Sequence, residues 1–335
     1  MNRASWCSAV HAVVGITLAF VIGIQTDSGQ RGQSSSDTEK PTASGSPILK
    51  TQFGDLPIFP RDNPWNQDIS KLPVHAKSAD YIKSIGFDKP LHPDFGTVWQ
   101  GAPSGIPFVV VPVDQPKVPV EFDYKDESDP GPYPIPRDAP IEGGPNAAKD
   151  SDRHILVLDY HAKKLYELFH AFPTDRGWRA GSGAIFDLTS NKLRPTGWTS
   201  ADAAGLPIFP GLVRYDEVVE QGEIRHALRF TCRRTQRGYI APATHWASSS
   251  RDRNLPPMGL RVRLKADYDI SRYSKNAQVI LVALKKYGMF VADNGGDWFI
   301  SGAPNPKWND DEMHTLKRIK GGAFEAVDSG PLVTE

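Results

Sequence analysis

Residues 154–172 read HILVLDYHAKKLYELFHAF, and this stretch decides the fold class. Its first six and last nine residues form apolar or alternating runs of the kind that predicts β-strands. Asp159 to Ala162, where the first run ends, is predicted to be the tip of a hairpin. Similar runs, bounded by Gly, Pro, Asn or Asp, recur at residues 180–188, 224–232, 238–243 and 260–266. The chain beyond Arg153 is therefore predicted to be a β-protein.

Three segments have the apolar periodicity of helices. Residues 76–85 end at Gly86, and residues 276–287 carry an apolar stripe that ends before Gly288. Residues 309–320 begin with an Asn cap and an acidic first turn. Residues 289–301, MFVADNGGDWFIS, predict a further hairpin with Asn294 and Gly295 in its turn.

Strands outnumber helices and do not alternate with them, which disfavours a doubly wound parallel sheet. The sequence predicts a mainly β, β-rich α+β fold. The expected architecture is an antiparallel β-sandwich or a distorted barrel with a few peripheral helices.

The N-terminal residues 1–25 are typical of an export signal. Arg3 is the only charged residue before an apolar run from Ala9 to Ile24. This run of about 16 residues is shorter than the roughly 20 that a spanning helix needs. An uncleaved N-terminal anchor is the alternative interpretation. Both predict an extracytoplasmic protein, secreted or periplasmic, that contacts the membrane only through an uncleaved leader.

Residues 26–46 lack large apolar side chains and are predicted to be a disordered polar linker. The following residues 47–335 are predicted to form a single β-rich globular domain. Within it, the proline-rich residues 51–145 are interpreted as a lobe or a strap. Tyr133 and Ile135 favour a strap packed on the body of the domain.

Composition excludes several classes of function. The chain has 39 basic and 39 acidic residues and no basic stripe with interleaved aromatic residues, so no nucleic-acid partner is expected. The sequence has no phosphate-binding loop, and an exported protein is not expected to use a nucleotide cofactor. No cofactor is therefore predicted. Cys232 is the only cysteine beyond the leader. Its place in a predicted strand favours a buried structural role over a catalytic thiol.

Residues 178–229 combine clustered small residues with aromatic and acidic side chains. Glycines let a backbone approach a ligand closely, and carboxyl groups supply acid–base catalysis. Asp202 and Glu217 are the candidate acid–base residues, with a turn or cap role as the alternative for Asp202. Trp178 and Trp198 are candidate residues for stacking on sugar rings.

Two histidines and an arginine complete the candidate site. Alternation along residues 224–231 puts His226 on an apolar face with Leu228, and Arg229 on the opposite face. His226 is interpreted as a satisfied core residue or as a general base, and Arg229 as a substrate-positioning residue. His245 precedes Trp246 in a polar loop, which is typical of a binding surface.

Signals for a metal site are weak. The sequence has no H-E-x-x-H motif, no paired C-x-x-C motif and no pair of histidines at i, i+4, so no metal is predicted. The acidic residues 123–129 are a minor candidate for Ca²⁺, although they lack EF-hand spacing.

Several phrases carry a resemblance to a known group. FPRDNPWN (59–66), GSGAIFDLTSN (181–191), RHALRFT (225–231) and KKYGMFVADNG (285–295) resemble a group of exported bacterial proteins of unassigned activity. The resemblance spans nearly all of residues 53–328. It implies one folded unit outside the cytoplasm, and it brings no catalytic residues.

These observations favour a secreted carbohydrate-active protein, a glycan hydrolase that works with carboxyl groups and without a cofactor. Its expected partner is an extracellular or cell-envelope polysaccharide. The alternatives are a non-catalytic glycan-binding protein and a structural envelope protein.

Overall fold

Two β-sheets, of six and four strands, carry the architecture of the computed structural model, which describes residues 45–335. The predicted leader (residues 1–25) and residues 26–44 of the predicted linker lie outside the described residues. The described residues, 45–335, belong to one compact unit.

The strands before residue 123 are short and are separated by turns. They are β1 (Ile48–Thr51), β2 (Gly54–Pro57), β3 (His92–Asp94), β4 (Val98–Trp99), β5 (Ala102–Pro103), β6 (Phe108–Val111) and β7 (Val120–Phe122).

The strands after residue 154 include the longest in the described chain. They are β8 (Ile155–Asp159), β9 (Lys164–Phe169), β10 (Phe172–Pro173), β11 (Trp178–Ala180), β12 (Ser182–Asp187), β13 (Leu228–Cys232), β14 (Tyr239–Ile240), β15 (Arg261–Leu264), β16 (Met289–Asn294), β17 (Phe299–Ser301), β18 (Phe324–Ala326) and β19 (Leu332–Val333).

The helices fall where the sequence predicts them: α1 (Ser78–Gly86), α2 (Lys275–Lys286) and α3 (Asp310–His314). The Ser274 side chain caps α2, so the helix begins at Lys275, one residue before the predicted start. The Asn309 side chain caps α3 by accepting a hydrogen bond from the Glu312 amide. The third helix is shorter than predicted, because residues 315–318 tighten into a 3₁₀ turn.

The six-stranded sheet has the order β18-β15-β16-β13-β17-β3, and the four-stranded sheet the order β12-β9-β8-β6. The β-rich α+β class is therefore confirmed, and among residues 45–335 no sheet closes into a barrel. The sheets are mixed and not purely antiparallel, since β13 pairs with β16, β17 with β3, and β6 with β8 in parallel.

One predicted pairing is correct and another is wrong. The hairpin with its tip at 159–162 forms, because β8 and β9 pair antiparallel. The predicted hairpin over 289–301 does not form, because β13 lies between β16 and β17 and pairs with both. The Gly295 amide donates to the Cys232 carbonyl, so the loop passes around the end of β13.

The four-stranded sheet is covered on both faces. Its inner face contributes Leu156, Leu158 and Leu165 to the main core, which also fills both sides of the six-stranded sheet. Its outer face packs in a smaller core with Tyr133 and Ile135 of the proline-rich segment. The inner face of this sheet is thus turned toward the six-stranded sheet.

Cys232 is fully buried, and burial raises the pKa of its thiol. A buried neutral thiol is a poor nucleophile, which matches the structural role expected from the sequence. In the described part of the chain, no helix has the length and apolar character that crossing a bilayer requires.

Candidate functional site

Four neighbouring strands of the six-stranded sheet carry a row of polar side chains on one face. Asp293 of β16 lies opposite Thr231 of β13, and Ser301 of β17 lies opposite Asp94 of β3. Arg229 of β13 donates a hydrogen bond from Nη1 to the Ser301 hydroxyl, which places both on this face. We call the space above this row the cleft.

A β-bulge turns Asp293 toward the cleft. The register of β13 against β16 runs Phe230 to Val291 and then Thr231 to Asp293, so Ala292 is an extra residue. Because neighbouring residues of a strand point to opposite faces, this insertion moves Asp293 to the face that carries Arg229.

Asp202 and Arg229 form a buried bidentate ion pair at the base of the cleft. Arg229 Nε lies 2.8 Å from Asp202 Oδ2, and Nη2 lies 2.5 Å from Oδ1. Burial raises the pKa of the Asp202 carboxyl, and the Arg229 charge opposes that rise. Asp202 in turn raises the pKa of Arg229, so the guanidinium keeps its charge. The structure thus joins two of the predicted site residues.

Small residues around Asp202 let its loop fit against the strands. The Ser200 hydroxyl accepts a hydrogen bond from the Asp202 amide at 2.9 Å. The Ala203 amide donates to Asp293 Oδ2 at 3.2 Å, and the Ala204 amide donates to the Ala292 carbonyl. Asp293 is therefore held directly beside the loop that carries Asp202.

His154 is a buried cation beside the loop that carries Asp202. Its Nδ1 lies 2.6 Å from Glu142 Oε2, and its Nε2 lies 3.2 Å from the Ala201 carbonyl oxygen. Both partners are acceptors, so both ring nitrogens carry protons. Burial opposes this charge, but Glu142 outweighs burial and raises the pKa of His154 to about 9. His154 correspondingly lowers the pKa of Glu142, against the effect of burial.

Two carboxyl groups of the cleft have pKa values near neutrality. Desolvation, followed by the charges of Glu142 and Asp152, raises the pKa of Asp94 to about 6, although the residue reaches solvent at the mouth. Desolvation and the charge of Asp202 raise the pKa of the half-buried Asp293 to about 7. A carboxylic acid with such a pKa can give or take a proton at neutral pH.

Asp152 is an exposed acidic residue close to the Glu142–His154 pair. Ligand atoms of Glu142, Asp152 and His154 lie within 4.8 Å of one another, the spacing of a metal site. However, both nitrogens of His154 donate hydrogen bonds, so neither has a lone pair for a cation. The geometry fits an ion-pair network better than a metal centre.

His245 lies on the far side of the Asp202 loop. Its Nδ1 donates a hydrogen bond to the Ala203 carbonyl oxygen at 2.7 Å, because that oxygen can only accept. The residue is half-buried. Through Ala203 it supports the same loop that contacts Asp293.

Glu217 and His226 belong to a second buried cluster. Glu217 Oε2 lies 3.0 Å from His226 Nε2, and its Oε1 lies 2.9 Å from Arg214 Nη2. All three side chains are at most 2% exposed. Among the described residues, no hydrogen bond or salt bridge joins this cluster to Asp202 or Arg229. The structure therefore separates these two predicted acid–base residues from Asp202.

The predicted stacking residues do not form a common exposed face. Trp178 is 4% exposed and belongs to the smaller core. Trp198 is half-buried, with the Arg194 guanidinium carbon 5.6 Å from its ring centroid. Trp246 stacks on Tyr239 at 5.8 Å.

The acidic residues 123–129 point to separate partners. Asp123 binds Arg179, Asp129 binds Arg194, and Glu127 accepts from the Thr199 amide. The carboxyl groups thus fasten the segment to neighbouring residues of the domain.

Sequence reasoning found Asp202 and Arg229 but missed Asp94, Glu142 and Asp293. Glu142 lies in the proline-rich segment, and Asp293 lies in the wrongly predicted hairpin. The available signal for Asp293 was weak: it is an acidic residue that follows the apolar run 289–292 and comes two residues before the pair Gly295 and Gly296.

No protein-family model matches the chain, and neither a curated protein nor a solved structure is significantly similar to it. The site has therefore to be interpreted from its own geometry.

Proposed function

We propose that the protein is a cofactor-independent hydrolase that cleaves glycosidic bonds in the cleft. One observation carries the proposal: Asp94 and Asp293, with pKa values of about 6 and about 7, lie on the face of the six-stranded sheet that carries Arg229 of the buried Asp202–Arg229 pair. Glycoside hydrolysis requires such a pair, one carboxyl group protonated and one ionised.

The pKa values assign the roles. Asp293, with the higher pKa, donates its proton to the glycosidic oxygen as the bond to the anomeric carbon breaks. Asp94, with the lower pKa, accepts a proton from the water whose oxygen bonds to that carbon. Asp293 regains a proton from solvent and Asp94 loses one, so the net reaction consumes one water.

The spacing of the two carboxyl groups favours inversion at the anomeric carbon. Asp94 and Asp293 lie three strands and two residues apart, which is about 16 Å between backbones at about 4.8 Å per strand and about 3.3 Å per residue. We expect inversion, because retaining enzymes need their two carboxyl groups only about 5–5.5 Å apart.

The other groups position the reacting pair. The Asp202–Arg229 pair and Ser301 fix the floor, and the Ala203 amide holds Asp293. The Glu142–His154 pair forms the wall beside Asp94. Asp202 is therefore assigned a positioning role, because it is fully buried and paired with Arg229.

A panel of polysaccharides tests the proposal. The full chain is incubated with β-glucan, xylan, galactomannan and starch, and new reducing ends are measured alongside the variants Asp94→Asn and Asp293→Asn. We expect release from at least one polymer by the wild type and a loss of about 100-fold or more in both variants. Absence of release from every polymer, or full activity in both variants, would overturn the proposal. Retention of a polymer without product would instead support the glycan-binding alternative.

We further propose that the protein works outside the cytoplasm, on the basis of the signal-like residues 1–25. Cell fractionation of the source organism with an antibody to the protein tests this. Recovery of the chain in the cytosol with Met1 intact would contradict it.

A further inference from the structure

A small hairpin stands on the rim of the cleft. It comprises β4 and β5, which pair antiparallel as Val98 with Pro103 and Trp99 with Ala102. Gln100 and Gly101 form its two-residue turn, both with positive φ (50° and 82°), as a type I′ turn requires. Val98 and Trp99 are 61% and 70% exposed. The hairpin thus presents a large aromatic ring to solvent.

Both ends of the hairpin are attached to the cleft. It starts four residues after Asp94, which ends β3. Just beyond its other end, the Ile106 amide donates to the Gly302 carbonyl, next to Ser301. From the Cα of Asp94, Trp99 lies at most about 17 Å away along the chain, at about 3.4 Å per residue.

A third contact joins the hairpin to the turn that contains Glu142. The Cβ of Ala102 lies 3.5 Å from the position that a Cβ of Gly144 would take. Gly144 closes the turn that contains Glu142, because its amide donates to the Ile141 carbonyl. Trp99 therefore sits on an element that spans from Asp94 to the Glu142 turn.

The base of the hairpin is fixed in place. The Thr97 amide donates to Asp310 Oδ1 at 2.9 Å, and the Thr97 hydroxyl donates to Asp310 Oδ2 at 2.5 Å. The Gly96 amide donates to the Ser104 carbonyl. A ring held on a rigid base loses little conformational freedom when a ligand stacks on it.

We infer that Trp99 is a sugar-stacking platform of the cleft, so that the preferred substrate is a polymer that reaches from the carboxyl pair to the rim. This inference rests on the proposed function and adds a substrate class to it. An exposed indole offers a flat apolar face, and the apolar face of a sugar ring covers it without displacing any protein contact. A single sugar at the carboxyl pair leaves this platform uncovered, whereas a chain of several sugars covers both.

Kinetics of Trp99→Ala, Trp99→Phe and the wild type test the inference. We expect Trp99→Ala to raise KM for the cleaved polymer about tenfold and to leave kcat within about twofold, since stacking contributes to binding and not to the chemical step. For a short aryl glycoside of the same sugar we expect no change in KM. Trp99→Phe keeps a flat ring and should restore most of the affinity.

Phe87→Ala is the matched control. Phe87 is also an exposed aromatic residue, at 56%, and its ring packs beside Gly322 and outside the cleft. We expect its kinetics to equal those of the wild type. Affinity electrophoresis in gels that contain β-glucan, xylan, galactomannan or starch measures how strongly each variant binds the polymer, independently of cleavage.

The outcomes separate the two proposals. If the wild type cleaves a polymer and Trp99→Ala has the same KM and gel retention as Phe87→Ala, the platform is excluded and the hydrolase stands. If the wild type is retained by none of the four polymers, the platform is excluded as well. Retention that depends on Trp99 without cleavage would support the platform and contradict the hydrolase.

Discussion

Asp293 faces the cleft because of one inserted residue, and its pKa of about 7 suits the proton donor of the proposed reaction. We predict that Asp293→Asn lowers kcat by about 10²–10⁴-fold, the usual contribution of general acid–base catalysis. The amide keeps an oxygen for the Ala203 amide, so the fold should persist. Circular dichroism and kcat measured on the same preparation check this.

The pH dependence provides the control for this prediction. The wild type needs Asp94 ionised and Asp293 protonated, so kcat/KM should be bell-shaped with limits near pH 6 and pH 7. Asp293→Asn should remove the alkaline limit. Asp187→Asn, a change at an exposed turn outside the cleft, should leave both limits in place. An unchanged alkaline limit in Asp293→Asn would show that another group is the acid.

The Asp202–Arg229 pair is expected to matter for stability as well as for the site. Asp202→Ala leaves a buried guanidinium without its counter-charge, which costs about 3–5 kcal/mol of unfolding free energy. Urea denaturation followed by fluorescence measures the loss. A change below about 1 kcal/mol would mean that water or Asp293 can replace Asp202.

His154 predicts a stability that depends on alkaline pH. Its pKa is about 9 in the folded state and near its ordinary value of 6.5 when unfolded, so the folded state binds the proton more tightly. This contribution, about 3 kcal/mol, is fully present below pH 6.5 and is lost as the pH rises through 9. The unfolding free energy of His154→Gln, measured by urea titration, should change less than that of the wild type between pH 6 and pH 9.5. Parallel curves for the two proteins would refute a charged His154.

The sequence revealed only part of this residue-scale picture. Asp202 stood out because small residues surround it, and they are what lets its loop approach β16. Asp202 and its partner Arg229 are 27 residues apart in the sequence, and Glu142 and His154 are 12 residues apart. No local pattern encodes such contacts, because strand pairing and loop packing bring the partners together.

At the scale of elements, the join between the rim hairpin and the sheet tolerates no side chain. Gly105 has φ +120°, and a Cβ there would lie 2.4 Å from the Gly302 carbonyl oxygen. Gly101 also has positive φ, at +82°, but its Cβ would meet nothing within 4 Å. We predict that Gly105→Ala destabilises the protein by at least about 2 kcal/mol and that Gly101→Ala costs about 1 kcal/mol. Thermal and urea unfolding of the two variants compare them, and equal losses would contradict the close packing at Gly105.

Elements that depend on local signals could be predicted, and those that depend on distant pairing could not. Capping residues and an apolar stripe located α2 and α3, and alternation located β8 and β9. The segment MFVADNGGDWFIS has every local feature of a hairpin. It fails to form one because β13, some 60 residues earlier in the chain, lies between the two strands and pairs with both.

At the scale of the whole molecule, the neutral net charge conceals a strongly acidic cleft. Five carboxyl groups meet there, those of Asp94, Glu142, Asp152, Asp202 and Asp293, against two cations, Arg229 and His154. If the proposed hydrolysis is correct, we predict that the protein acts on neutral polymers and not on anionic ones of the same backbone, because like charges repel. Hydroxyethyl cellulose and carboxymethyl cellulose form a matched pair, as do neutral and sulfated forms of whichever polymer is cleaved. Equal rates on both members of such a pair at low salt would contradict it.

The position of β13 has a consequence for the biogenesis of the protein. Both of its neighbours, β16 and β17, are synthesised after it. One edge of β13 therefore stays unpaired until about residue 294 has been made, and the other until about residue 301. Unpaired strand edges invite association between chains. A chain that stops after α2 would carry an apolar strand with neither neighbour in place, and such truncated products should be found in aggregates and not in solution.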